Sequence, residues 1–272
     1  MGAPAIPEGG DPIGAIGALA AKCNLGIDRA EIARLADAQG FGASEFSAIE
    51  ALLSHCARKS RDSAVAKRLG ASRLPLREPK TFEDFDFSRV QGSGIDAIGR
   101  LPSLTHVYGR RNIAFIGPGG VGKTHLAQAY GRRCCEQGFT ALYFKASELR
   151  DKLAKSLAKG VPARTVKALV NPACLIVDEV GRCTFDRQCT DLFFDIVDRR
   201  YEKEVPNTMI LTSNTPVNNW DRFFTGDDTL LCALDRIFDK ASVFLMKGQS
   251  FRGAQCETFS LETRPPSVKA RG

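Results

Sequence analysis

The stretch that most restricts the fold of this chain is Ile113-Ala114-Phe115-Ile116-Gly117-Pro118-Gly119-Gly120-Val121-Gly122-Lys123-Thr124. An apolar run stops at Gly117, and Lys123-Thr124 open a helical pattern that continues through Leu126, Ala127 and Tyr130. Strand, glycine-rich loop and a helix starting on Lys-Thr make up the phosphate loop G-x-x-x-x-G-K-[ST] in the context that gives it meaning. The glycines let the backbone wrap a polyphosphate with its N–H groups turned inward, and the helix adds its positive N-terminal end at the same point. Gly117, Pro118, Gly119, Gly120, Val121, Gly122, Lys123, Thr124 and His125 are therefore the nucleotide-binding candidates. The Lys123 ammonium is expected on the β and γ phosphates, and the Thr124 hydroxyl on Mg²⁺.

A strand of this kind calls for parallel neighbours. Thr140 to Lys145 reads as a second strand, followed by a helix spaced by Leu149, Leu153 and Leu157. Ala173-Cys174-Leu175-Ile176-Val177 is an apolar run of the type buried on both faces, and it ends in Asp178-Glu179. A carboxylate at such a tip holds the hydration shell of Mg²⁺, which assigns Asp178 to the metal. Glu179 is then placed to orient and deprotonate an attacking water. A whole strand–helix unit separates the loop from this acidic strand, so the two are not successive pairs in sequence. With Glu adjacent to Asp, the pattern fits ATP hydrolysis better than phosphoryl transfer to a small molecule. A helix from about Arg187 to Tyr201 buries Cys189, Leu192, Phe193, Ile196 and Val197. Met209 to Asn214 is the fourth strand. At the carboxyl end of a parallel strand, Asn214 is either a γ-phosphate or water contact or a turn residue. Arg236, at the end of a helical pattern of Leu230, Leu231 and Leu234, and Arg252, after a last strand Ser242 to Met246, are not set apart from surface arginines by position alone.

Charge placement adds a second theme. The net charge is +7, and residues 51–80 hold Arg58, Lys59, Arg61, Lys67, Arg68, Arg73, Arg77 and Lys80 against only Asp62 and Glu78. Such a cluster is either a solvated helix face or a surface for nucleic-acid phosphates; Arg58, Lys59, Arg61, Lys67 and Arg68 are the DNA-binding candidates. The organisation expected is a disordered Gly/Pro-rich start at 1–12, a helical basic accessory domain with linker at 13–80, an α/β nucleotide-binding domain at 81–262 and a flexible tail at 263–272. Breaks fall at Gly26, Gly40 to Gly42 and Gly70, with Ser44 as an N-cap. Phe82, Phe85 and Phe87 either pin the linker to the core or line an adenine pocket. The nine cysteines lack C-x-x-C spacing, which points to reduced, buried thiols rather than zinc or a disulfide framework. No apolar run reaches membrane-spanning length, and no basic flank precedes the Gly/Pro-rich start.

Taken in order, Phe85-Asp86-Phe87, Gly117 through Ala127, Asp178-Glu179-Val180-Gly181, Leu211-Thr212-Ser213-Asn214, Leu234-Asp235-Arg236 and Gly248-Gln249-Ser250-Phe251-Arg252 resemble the IstB/DnaC-like branch of the AAA+ ATPases. The resemblance spans roughly residues 80–262. It implies an α/β P-loop NTPase of AAA+ type, with parallel sheet order 5-1-4-3-2, a lid reduced or absent and a small N-terminal helical domain. It also implies that Asn214 is the sensor-1 asparagine and Arg252 the sensor-2 arginine. Arg236 becomes the arginine finger, donated into the ATP site of a neighbouring subunit. A finger acting in trans supplies positive charge as the leaving phosphoryl group gains negative charge, and it ties hydrolysis to assembly.

Within the branch, Asp235-Arg236 before a hydrophobic strand, the Trp220 segment and the helical leader look most like IstB. That likeness implies ATP and Mg²⁺ as cofactors, a cytoplasmic homo-oligomer with ATP sites between subunits, binding to duplex DNA and stimulation of an IstA-like partner transposase. Arg182 departs from the family pattern, which has an aromatic there. A DnaC-like helicase loader preferring single-stranded DNA, and an ATP-gated DNA scaffold with negligible turnover, are the competing expectations.

Overall fold

The computed structural model describes residues 11–92, 94–225 and 227–248. The chain begins with three helices. α1 (Pro12–Lys22) opens on a proline, which has no N–H to leave unsatisfied, and the Asp11 side chain accepts from Gly14 N at 3.0 Å. α2 (Arg29–Gln39) starts in a reciprocal cap, Glu31 N to Asp28 Oδ1 at 2.8 Å and Asp28 N to Glu31 Oε2 at 3.0 Å, and stops at the left-handed Gly40. α3 (Ala43–Ala71) is one helix that passes Gly70 before ending. Its N-cap is Gly42 and not the expected Ser44. Glu45 accepts the Gly42 N–H at 2.8 Å, whereas the Ser44 hydroxyl, already inside the first turn, is used on Glu45 at 3.0 Å. Ile16, Ala20, Ile32 and Ala36 are buried where these helices meet.

Beyond α3 come α4 (Ile95–Gly99), α5 (Thr105–Tyr108), β1 (Ile113–Ile116), α6 (Lys123–Glu136), β2 (Ala141–Lys145), α7 (Ala146–Ala158), α8 (Pro162–Val170), β3 (Cys174–Val180), α9 (Arg187–Tyr201), β4 (Thr208–Ser213), α10 (Asp227–Phe238) and β5 (Ser242–Leu245). The strands form one parallel sheet in the order β2-β3-β4-β1-β5. This is the expected 5-1-4-3-2 order read from the other edge. α8 has no counterpart in the sequence reading; it starts on Pro162 after Gly160 turns the chain left-handed, and it buries Val166 and Leu169.

Alternation along β3 divides the core into two layers. Leu175 and Val177 point into the cluster with Leu149, Leu153, Phe193 and Ile196, and Ile176 points into the cluster with Leu126, Tyr130 and Phe115. The C-terminal end of α3 joins the second layer through Leu69, and the chain leaving it covers the β2 edge, where Tyr143 N donates to Ser72 O at 2.9 Å. Covering that edge removes a free row of strand hydrogen-bonding groups. Arg200, 1% exposed, donates to the carbonyls of Leu169, Val170, Pro172, Ala173 and Thr208, tying the ends of α8, β3 and β4 together away from the loop. Cys134, Cys135, Cys174 and Cys189 are buried, and none is in a disulfide among the described residues. Among the described residues no helix is long and apolar enough to cross a membrane.

Candidate functional site

The phosphate loop leaves β1 between the ends of two strands. Gly117 N donates to Ser213 O at 3.1 Å, and a Cβ on Gly117 would lie 2.0 Å from the Met246 carbonyl oxygen, so no other residue fits there. At the far end of the loop Gly122 has φ +93°, and a Cβ would come within 2.7 Å of the Phe85 ring. Phe85 is therefore buried core that pins the incoming chain and forms the floor under the loop. Phe82 is core, edge-on to Tyr130 at 6.5 Å. Lys123 Nζ donates to Gly117 O at 2.8 Å and Pro118 O at 2.6 Å, which curls the ammonium back over the loop. His125 holds the chain entering the site, its ring nitrogen 2.7 Å from Thr81 O.

The two acids reach the loop through a break in sheet register. Val177 pairs with Leu211 and Val180 with Ser213, so Asp178 and Glu179 together oppose Thr212. This is a β-bulge, and Glu179 sits in the left-handed region at φ +61°. In a regular strand adjacent side chains point to opposite faces. The bulge cancels that alternation and turns both carboxylates to the loop side. The Glu179 N–H is anchored on Thr212 Oγ1 at 2.9 Å.

Asp178 is 1% exposed and saturated with hydroxyl donors. Thr124 Oγ1 donates to its Oδ1 at 2.9 Å, Thr212 Oγ1 donates to the same oxygen, and Tyr143 OH donates to Oδ2 at 2.6 Å. Burial first, then the Asp178 charge, pushes the Tyr143 phenol well above its usual range, so it remains a donor. Thr212 and Tyr143 escaped the sequence reading because each looks like an ordinary strand residue; their contact with Asp178 depends on strand register. Glu179 carries two cationic neighbours, Arg182 at 2.8 Å and Lys145 at 3.7 Å.

A cavity of about 660 Å³ brings most of these groups together: Gly119, Gly120, Lys123, Thr124, Glu179 and Asn214 all line it. A second cavity, of about 760 Å³, opens on the opposite flank of the loop, where Val121 faces Val90, Gln91, Ile98 and Met246. Arg236 is not among the residues lining either cavity; it pairs with Asp198 of α9 at 3.2 Å. Arg252 lies outside the described residues. Arg58, Arg61 and Arg68 line a third cleft of about 750 Å³ with Lys22, between α1, α3 and the end of α6. None of Arg58, Lys59, Arg61, Lys67 and Arg68 forms an ion pair among the described residues.

Sheet order, phosphate loop and acidic strand end define a P-loop nucleotide-binding protein of the AAA+ class. The chain belongs to the family of IstB-like ATP-binding proteins, whose model matches residues 25–258. That match begins well before residue 80, so α2 and α3 belong to the family pattern as well as the α/β domain. The ATP-binding protein of insertion sequence IS21 from Pseudomonas aeruginosa is 36% identical over 189 residues, 69% of this chain and 69% of that one. Its counterpart in insertion sequence IS5376 from Geobacillus stearothermophilus is 34% identical over 182 residues, 66% of this chain and 70% of the relative. Among solved structures, AMPPCP-bound DnaA from Aquifex aeolicus superposes with a TM-score of 0.50 at 22% identity, covering 64% of this chain and 51% of that one, a likeness of fold.

Proposed function

We propose that this protein is an ATP hydrolase that assembles with copies of itself on duplex DNA and assists an IstA-like transposase. The observation that carries the hydrolytic part is the bulge, which sets Asp178 and Glu179 side by side facing the phosphate loop.

The residues present fit ATP with Mg²⁺. Magnesium is held in such sites by one or two carboxylates and hydroxyls together with phosphate oxygens, and Thr124 with Asp178 supplies an all-oxygen pair of that kind. When bound, the nucleotide and its metal supply the scissile phosphoanhydride and neutralise its charge. Lys123 leaves its carbonyl partners to bind the terminal phosphates, and the loop N–H groups take the remaining oxygens. Glu179 orients a water and accepts its proton, and Asn214 holds the water or the phosphate from the neighbouring strand. With the γ end at these groups, the cavity on the other flank of the loop, lined by Val90, Val121 and Met246, would receive the base.

The DNA part rests on the cations of α3, which form no ion pair among the described residues and whose charge suits a sequence-independent grip on phosphates. Arg236, paired with Asp198 and absent from the lining of its own cavity, suits donation to a neighbouring subunit, and by family resemblance Arg252 completes the site as sensor 2. The partner follows from relatives named for insertion sequences.

The test is ATP hydrolysis by the full chain, with Mg²⁺, alone and with duplex or single-stranded DNA, alongside sedimentation. Stimulation by duplex DNA together with assembly is expected. A monomer that hydrolyses no ATP under any condition would refute the reading. Preference for single strands would move the client from a transposase towards a helicase.

A further inference from the structure

A buried relay outside the recognised motifs bears on the same site. Tyr143 lies on β2, opposite Ile176 and one face-step from Lys145, the register partner of Asp178. Strand alternation therefore turns Tyr143 to the α6 side, where its hydroxyl meets Asp178 Oδ2 at 2.6 Å. The Gln128 side chain also lies beside that hydroxyl, and Gln128 is buried one helical turn beyond Thr124 on α6. Asp178 is thus gripped on both oxygens, by Thr124 of α6 on Oδ1 and by Tyr143 of β2 on Oδ2, with Gln128 of α6 beside the second contact.

We propose that Tyr143 is a positioning residue for the metal: it occupies Asp178 Oδ2, so that the carboxylate offers only Oδ1 towards Thr124 and the phosphates. This rests on the assignment of Asp178 to Mg²⁺ made above. The physical case is one of geometry. A free carboxylate rotates and can present both oxygens, whereas Mg²⁺ demands near-octahedral placement of single oxygens and keeps much of its water. A short O–H···O⁻ bond to one oxygen fixes the plane of the group, and the neighbouring hydroxyls fix the other. Tyr143 touches neither nucleotide nor metal; it acts through Asp178.

The variant is Tyr143→Phe, which keeps the ring and removes only the donor. The readout is binding of a fluorescent ATP analogue, titrated first in EDTA and then against rising Mg²⁺, together with the thermal midpoint. Unchanged affinity in EDTA is expected, with the Mg²⁺ concentration for half-maximal enhancement raised about tenfold, within the range for loss of a metal's supporting hydrogen bond. A magnesium titration that overlays that of the unaltered protein, or equal losses of affinity with and without the metal, would overturn the role of Tyr143. The Asp178→Asn variant separates the two readings: if it too leaves the Mg²⁺ dependence intact, the metal assignment of Asp178 is wrong, and the proposal falls with it. Gln128→Leu, which removes the amide beside the hydroxyl but leaves the Tyr143 donor, should shift the titration less than Tyr143→Phe does; a larger shift would overturn the assignment of the role to Tyr143.

Discussion

Arg182 Nη1 holds Glu179 Oε1 at 2.8 Å, so the carboxylate expected to activate water is engaged by a cation from its own chain. Arg182 is 67% exposed against 29% for Glu179. An ion pair that wet contributes at most about 1 kcal/mol, enough to bias the carboxylate without locking it. Removing the cation should therefore free Glu179. Arg182→Ala is expected to raise DNA-independent ATP turnover, by up to about fivefold if the full kcal/mol is recovered in the barrier. Steady-state phosphate release measures it. A fall in turnover would instead place Arg182 on the nucleotide.

Glu179→Gln keeps the size of the side chain and removes the proton acceptor. Turnover should drop by about 10² to 10⁴, the span of a positioned general base, while nucleotide and duplex-DNA affinities stay near their starting values. Parallel measurement of hydrolysis and equilibrium binding checks both halves. Undiminished hydrolysis would remove Glu179 from its role.

Arg58 and Arg61 are exposed on the cleft side of α3. The double change Arg58→Ala, Arg61→Ala should weaken binding to all duplex sequences alike. It should also flatten the plot of log affinity against log salt by about one unit per lost phosphate contact. An unaltered slope would place the DNA elsewhere on the molecule.

His106 supplies a pH dependence. Its ring nitrogen Nε2 lies 2.9 Å from Ser242 Oγ, and Nδ1 is buried without a partner among the described residues. Burial, aided by the charge of Arg111, holds its pKa below the ordinary 6.5. As pH falls, the unfolded chain takes up this proton before the folded one. The contribution to stability is therefore intact above about 6.5 and declines below it. Between about pH 7 and about pH 5.5 the thermal midpoint of the unaltered protein should fall further than that of His106→Gln, which has no ring to titrate. Parallel slopes for the two would contradict this.

The parts of the site legible in the sequence were those written locally. The loop from Gly117 to Thr124 is contiguous, and β3 announces itself as an apolar run because both of its faces are covered. Strand order was legible because a whole β–α unit intervenes between loop and acids, and the family likeness gave the rest. What stayed hidden depends on partners distant in sequence. Tyr143 reads as one more aromatic in a strand until β2 is set against β3. Arg182 reads as a surface charge until Glu179 turns towards it. The cap of α3 was misplaced by two residues because Ser44 is the better capping residue in isolation, yet Gly42 is the position from which Glu45 can reciprocate. Arg236 is a different case: its Asp198 partner is visible, but the role expected of it requires a second copy of the chain.

The extra residue at Asp178-Glu179 also resets the phase of everything after it. Without it, Val180 would fall on the same side as Ile176; instead it packs with Leu175 and Val177 in the opposite layer. The aim of the two acids is thus matched by a small aliphatic side chain in the opposite layer, seated where only an out-of-step strand would put it.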